Sequence, residues 1–469
     1  MLRRLALLAL VLPATVSTMP QAQPRVRAVE TALDRYVAAP DASFSWKVAG
    51  QLPATGVTAT LLEMTSQRWL SEREVERPLW THWIIVTRPA VIKSDIAMLF
   101  ISGGRLDRQP PAAPTPWLAQ VARDTGSVVA ELRLVPNQPI VFTEDPAHKP
   151  RLEDDFIAYT WNKFLRTGDD RWPARLPMTK SAVRAMDAVT AFAASPEGGA
   201  ARVDRFVVSG ASKRGWTTWT TAAVDPRVVG AIPAVIDVLN VVPSFFHHWR
   251  AYGAWADAVA DYREQGILDW LGSREFAALM RIEDPYEYRA RLTMPKLMVN
   301  ASGDQFFLPD SSSFYFDALP GEKYLRYVPN TSHGLEKSDA LETVQAFYST
   351  IVTGTPRPGL QWSFEKDGSI QVRAKDRPDA VRMWQAVNPK ARDFRVDTIG
   401  PTYKSTALLP TGPNTWTARV EPPAEGWTAF YVEMDFPSGG THPLKLTTAV
   451  RVLPDTLPHP APTLASGTR

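Results

Sequence analysis

The sequence predicts an α/β fold with a mostly parallel sheet, followed by a smaller all-β module. Three observations carry that reading. From about residue 26 to 353, apolar strand-like runs alternate with helix-like segments. A proline-rich linker, TGTPRPG (353–359), ends that rhythm, and short alternating strands with turn residues between them come after it. The 469 residues, 45% of them hydrophobic, suffice for two domains with large cores.

The elements follow in order. The chain opens with MLRR and the apolar run LALLALVLPATV. That run has the length of a secretory leader and falls short of the roughly 20 residues a bilayer span needs. A signal peptide over 1–23 is expected, and with it an exported protein, periplasmic or secreted, that keeps no transmembrane anchor after cleavage. DIAMLFISGG (95–104) reads as a buried strand ending in a glycine pair, and SVVAELRLV (127–135) as a second strand. In TKSAVRAMDAVTAFAA, Val183, Met186 and Val189 fall on one helical face. Further strands are DRFVVSG (204–210), VVGAIPAVI (228–236), KLMVNASGD (296–304) and KYLRYVP (323–329), and a helix over LEKSDALETVQAFYSTIV follows the last.

One interval is too long for a simple crossover. Residues 237–292 are aromatic and helix-rich, and are expected to form either a cap over the C-terminal edge of the sheet or extra packing helices. The first domain is thereby expected over 24–355. In the second, over 356–455, Trp362 and Phe364 alternate on one side of an Asp367–Gly368 turn and Ile370, Val372 and Ala374 on the other. That is a β-hairpin pattern, and about a hundred residues of this texture predict an immunoglobulin-like sandwich. Trp362, Trp384, Trp416 and Trp427 are expected to fill its core. A disordered tail is expected over 456–469.

Composition narrows the function. The formal charge is +3, with 52 basic residues spread among 49 acidic ones and no basic stripe, so nucleic acid is not an expected partner. The absence of cysteine excludes disulfides, thiolate metal sites and cysteine nucleophiles.

The chemistry centres on VVSGASKRGWTTW (207–219). A strand, a turn with Gly210 two residues before Ser212, and a helix make the context of a nucleophile elbow, usually G-x-S-x-G. Here Arg214 stands two residues after the serine and Gly215 three. Downstream, Asp304 ends one strand and His333 lies just after another, before a helix. Of the seven histidines, only His333 has that context. Ser, acid, His is the triad order of an α/β-hydrolase. His333 would act as general base, oriented by Asp304, and Ser212 would attack a carbonyl to form an acyl-enzyme that water resolves. Oxyanion donors are expected at the Lys213 N–H and in the ISGGR loop, at Gly103 or Gly104. This chemistry calls for no metal and no cofactor.

Several motifs resemble the PhoPQ-activated pathogenicity-related family of secreted proteins. They are GASKRGWTTW, PAVIDVLN, DPYEYRARLTMPKLMVNASGDQFFLPDSS, YVPNTSHGL, YTWNKFL and WPARLPMTKSAVRAMD. The similarity runs from about residue 31 to 454. It implies an α/β-hydrolase fold with a C-terminal β-sandwich, an elbow written G-A-S-K-R-G, and a triad at Ser212, Asp304 and His333. Links of that family to virulence, to antimicrobial-peptide resistance and to dipeptidyl-peptidase-like relatives make peptide hydrolysis conceivable. The elbow also resembles, over a short stretch, that of glucuronoyl-type carbohydrate esterases.

The expected function is a secreted serine hydrolase acting on a small-molecule ester or a peptide-type amide. The alternative is a non-catalytic secreted signalling or binding protein on a hydrolase scaffold. For a peptide substrate, Glu131 or the acidic loop TEDPAHKPRLEDD (143–155) would anchor the amino terminus. Lys213 and Arg214 would hold an anionic substrate group, or else Arg214 would serve as a structural ion-pair partner. Phe245, Phe246, Trp249 and Trp255 would line an apolar pocket or else pack a core.

Overall fold

The computed structural model describes residues 30–421 and 423–463. The expected signal peptide, and residues 464–469 of the expected tail, lie outside the described residues. From Thr31 onward the chain forms one compact unit. Its first elements are α1 (Ala32–Ala38), β1 (Ser45–Leu52), β2 (Thr58–Arg68), β3 (Leu79–Arg88), β4 (Ile96–Ile101), α2 (Pro116–Thr125), β5 (Val129–Leu132), α3 (Glu153–Thr167) and α4 (Arg175–Ala194). Then come β6 (Arg205–Ala211), α5 (Lys213–Val224), β7 (Val228–Ala234), α6 (Val241–Tyr252), α7 (Ala260–Glu264), α8 (Arg274–Glu283), β8 (Lys296–Ala301), β9 (Lys323–Val328) and α9 (Ala340–Thr353). The C-terminal part adds β10 (Leu360–Phe364), β11 (Ile370–Ala374), β12 (Ala380–Asn388), α10 (Val396–Ile399), β13 (Lys404–Ala407), β14 (Thr415–Ala418), β15 (Trp427–Phe436), β16 (Leu444–Thr447) and β17 (Arg451–Leu453).

The architecture is α/β. Strands β5-β4-β6-β7-β8-β9 run parallel. Their sequences are mainly apolar because helices cover both faces, and two buried charges among them, Glu131 of β5 and Arg326 of β9, are paired. All six residues of β8 are buried, and Phe206, Val207 and Val208 of β6 are 0% exposed. Helix α4, buried along most of its length, and α5 pack on one face, while α2 and α9 contribute to the core on the other.

Two features extend the sheet beyond the parallel strands. At one edge β1, β2 and β3 form an antiparallel meander that joins through β3 and β5. At the other, β16 pairs antiparallel with β9, through Thr447 and Leu325, and brings in β15, β12, β13 and β17. The result is one 14-stranded sheet, beside a separate three-stranded sheet, β10-β11-β14. The hairpin expected around Asp367–Gly368 is present, with Phe364 opposite Ile370.

Residues 237–292 form α6, α7, α8 and three short 3₁₀ turns between β7 and β8. Trp161 of α3 stacks edge-on with Tyr262 of this insertion at 5.3 Å, and Trp216 of α5 donates its indole N–H to the Glu283 carbonyl. The insertion therefore packs beside the helix that follows β6. Residues 456–463 run beside α6, where the His459 N–H donates to the Arg250 carbonyl at 3.1 Å. No helix among the described residues is long and apolar enough to cross a membrane.

Candidate active site

Ser212 sits between β6 and α5 with φ 56° and ψ −124°, a left-handed conformation uncommon for a residue with a side chain. Such strain persists where the surroundings over-determine it. Its N–H donates to the Ala234 carbonyl at 2.8 Å, and its carbonyl accepts from Trp216 at 2.9 Å. The flanking glycines are explained by contact. A Cβ at Gly210 would lie 2.8 Å from the Arg214 carbonyl oxygen. One at Gly215 would lie 2.8 Å from the Ala234 oxygen and 3.0 Å from that of Gly210. The second glycine stands three residues after the serine because that is where α5 meets the backbones of β6 and β7.

Asp304 and His333 follow β8 and β9, at the same edge of the sheet as Ser212. The His333 Nδ1 lies 3.0 and 2.9 Å from the two Asp304 carboxylate oxygens. Facing a carboxylate, Nδ1 carries the proton, which leaves Nε2 with its lone pair. Nε2 is buried and has no hydrogen-bond partner among the described residues. Asp304 Oδ1 also accepts from the Phe306 N–H at 2.8 Å, and the His333 N–H donates to Gln305 Oε1 at 2.9 Å. From behind, the Val396 N–H of α10 donates to the Gly303 carbonyl at 3.0 Å, so a C-terminal element braces this loop. The structure thus joins Asp304 to His333, whereas Ser212 Oγ makes no hydrogen bond to His333.

Among the described residues, the N–H groups of Lys213, Gly103 and Gly104 have no acceptor. Gly103 and Gly104 form one wall of a cleft of about 390 Å³, which Trp83, Arg105, Arg108 and Arg133 also line. A small space of about 10 Å³ lies between Phe245, His248, Phe306 and Phe307, and the Phe306 ring is 4.5 Å from that of His333.

The charged neighbours favour one of the two readings of Arg214 and speak against the two expected amine anchors. Arg214 is committed to Glu153, at 2.8 and 2.5 Å through its two terminal nitrogens, and donates Nε to the Val135 carbonyl at 2.6 Å. It is an ion-pair partner and holds no free charge for a substrate anion. Lys213 pairs with Asp154 at 2.7 Å. Glu131, expected as an amine anchor, is buried and accepts from Ser102 at 2.9 Å and Thr115 at 2.7 Å, with Arg133 at 3.1 Å. The acidic loop is likewise consumed: Arg151 takes Asp145 and Asp155, and Lys163 takes Glu144. These carboxylates are matched by nearby cations, which is the cheapest way to keep them partly buried. Trp249 packs against Trp255 at 5.0 Å, half-buried.

The roles of several residues near the site had no sequence signal. Burial would raise Glu153, but Arg214 and Lys213 hold it down to about 2. Asp237, after β7, accepts from the Tyr315 and Tyr327 hydroxyls at 2.6 Å each. Burial nonetheless pushes its carboxyl up to about 7, with the charges of Asp304 and Asp310 adding to the rise. Arg175 donates to the Lys213 carbonyl at 2.7 Å and so steadies the first turn of α5. These partners lie tens of residues apart in sequence, and their pairing follows no local pattern.

The fold and the site define an α/β protein with a strained serine at a strand–helix elbow and an Asp–His pair at neighbouring strand ends. The chain belongs to the PhoPQ-activated pathogenicity-related protein family, whose model matches residues 33–395. It is 35% identical over 457 residues to Autocrine proliferation repressor protein A of Dictyostelium discoideum, a match covering 91% of each chain. Among solved structures it is similar to an acetyl xylan esterase from Paenibacillus sp. R4, with TM-score 0.46 and 14% identity over 68% of this chain and 91% of that one. It is also similar to the acylaminoacyl peptidase of Pyrococcus horikoshii, with TM-score 0.40 and 12% identity over 65% of this chain and 49% of that one.

Proposed function

We propose that the protein is a serine hydrolase that cleaves an ester or a peptide-type amide through Ser212, His333 and Asp304. The observation that carries this reading is the Asp304–His333 pair, with Nε2 buried and unpartnered, at the sheet edge where Ser212 holds its strained turn. In the reaction His333 Nε2 takes the Ser212 proton as Oγ attacks the carbonyl carbon. The developing oxyanion accepts from the Lys213 N–H and from Gly103 or Gly104. Collapse expels the leaving group, protonated by His333, and water then attacks the acyl-enzyme by the same route. The absence of a Ser212–His333 hydrogen bond is compatible with catalytic hydrogen bonds that form or tighten only with substrate bound.

Export is part of this proposal and rests on the leader-like first 23 residues. So is a division near residue 355 into a hydrolase domain, with residues 237–292 as its cap, and an immunoglobulin-like sandwich. The sandwich is supported by the packing of Ile370, Val372 and Trp416 of the small sheet into the same core as Val381, Phe430 and Val432 of the larger one, a core that also takes in Met98, Val207 and Val299 of the parallel strands. Hydrolysis of a panel of 4-nitrophenyl esters and aminoacyl-naphthylamides, side by side, tests the function and separates ester from amide. Turnover lost in both Ser212→Ala and His333→Ala supports it, and full turnover in either variant overturns the assignment.

A second reading is a non-catalytic signalling or binding protein. It is favoured by the missing Ser212–His333 hydrogen bond and by the name of the Dictyostelium relative, a proliferation repressor. Folded wild type that turns over nothing in the panel supports it.

A further inference from the structure

We propose that Arg214 is a positioning residue that holds the Gly103–Gly104 loop in register with Ser212, and that Glu153 and Gln138 complete the clamp. The inference rests on the hydrolase reading and assigns a role to the residue that replaces the usual glycine of the elbow.

Arg214 leaves the first turn of α5 two residues after Ser212 and crosses to the neighbouring strand ends. Its guanidinium lies flat against Gly103: a Cβ there would be 2.4 Å from Nη2, 2.7 Å from Cζ and 3.2 Å from Nε. Only glycine fits beneath it. The same guanidinium donates to the Val135 carbonyl, in the loop after β5, and to both oxygens of Glu153. Glu153 Oε1 also accepts from Gln138 Nε2 at 2.6 Å, and that nitrogen donates to the Gly104 carbonyl at 3.1 Å. In return the Glu153 N–H donates to Gln138 Oε1 at 2.8 Å. The Leu134 N–H donates to the Gly103 carbonyl at 2.9 Å. Each carbonyl of the glycine pair is therefore tied, while each N–H stays without an acceptor.

The clamp also sits on strained backbone. Glu153, the first residue of α3, has φ 51°. A non-glycine residue keeps that conformation where its surroundings over-determine it, and here the restraints are Arg214 and Gln138. The fork geometry of arginine is what lets one side chain reach a carbonyl, a carboxylate and the face of Gly103 at once. Lysine supplies the charge without the fork.

Misplacement of reacting groups by about 1 Å costs on the order of 10²-fold in rate. Arg214→Ala is therefore expected to lower kcat for 4-nitrophenyl acetate by about 10- to 100-fold, with KM within roughly twofold. Added methylguanidinium is expected to restore at least about a tenfold share of that loss, which a merely destabilised fold would not show. Arg214→Lys is expected to fall nearly as far as the alanine variant. Should Arg214→Ala fail to fold, Glu153→Gln gives the same readout, since it removes the charge that aligns the fork. Active wild type with Arg214→Ala or Glu153→Gln within about threefold of it in kcat overturns the clamp and leaves the hydrolase reading standing. So does a loss that appears wholly in KM, or one that methylguanidinium leaves untouched. Folded wild type without activity on this ester and without labelling of Ser212 by a fluorophosphonate overturns both.

Discussion

The buried pair Arg175–Glu283 offers the sharpest test of how the insertion supports the elbow. Their side chains are 1% and 0% exposed, with Arg175 Nε 3.2 Å from Glu283 Oε2. Arg175 also donates to the Lys213 carbonyl at 2.7 Å and the Thr217 hydroxyl at 3.0 Å. Burial pushes the Glu283 carboxyl up and the Arg175 guanidinium down, both away from the charged form. The pair's mutual attraction thus falls short of its desolvation cost. Glu283→Ala leaves the guanidinium buried without its counter-charge, a loss of about 3–5 kcal/mol. At about 2.1 cal/mol/K per residue, a chain of this length unfolds with about 1 kcal/mol/K. The midpoint in scanning calorimetry should drop by about 3–5 °C. Arg175→Met with Glu283→Leu removes both charges at similar volume and should recover most of that loss. A Glu283→Ala midpoint within about 1 °C of wild type, or a double variant less stable than Glu283→Ala alone, refutes the reasoning.

Three further outcomes follow from the geometry. Gly215→Val forces a side chain against the Ala234 and Gly210 oxygens, each within 3.0 Å of its Cβ. It should cost about 1–3 kcal/mol and slow fluorophosphonate labelling, measured together by calorimetry and gel fluorescence. The Asp237 carboxyl, raised to about 7, keeps in the folded protein a proton that the unfolded chain releases near pH 4. Its contribution is full below about pH 4 and is lost as pH rises through about 7, so the urea midpoint of wild type minus that of Asp237→Asn should fall between pH 5 and 8. A difference that stays flat contradicts the burial argument. Asp304→Asn should leave the midpoint nearly unchanged and lower kcat by about 10⁴, because no carboxylate then keeps the proton on Nδ1 of His333; retention of more than a tenth of the activity would count against the assigned pair.

Much of the site was legible because its signals are local. The strands ahead of Ser212, Asp304 and His333 are buried on both faces, so they read as mainly apolar runs, and the glycines at 210 and 215 mark close backbone approach. The meander β1–β3 and the β9–β16 pairing were not legible, because sheet edges are chosen by long-range contacts and not by composition. Arg214 stood undecided between substrate and structure for the same reason: its partner Glu153 lies 61 residues away. Glu131 and the acidic loop looked free in sequence although their cations Arg133 and Arg151 lie close by, because sequence proximity alone does not show whether a side chain turns toward its neighbour or toward solvent. Asp310 is the extreme case, half-buried with His247 of the insertion on one side and Arg392 of the C-terminal part on the other.

The central claim is that Ser212 is a nucleophile activated by His333. Incubating the folded protein with a fluorophosphonate and mapping the adduct by peptide mass spectrometry tests it most directly. The account predicts a single adduct on Ser212 that is lost in His333→Ala. An unmodified Ser212 in folded wild type, or an adduct that forms as fast in His333→Ala, contradicts it.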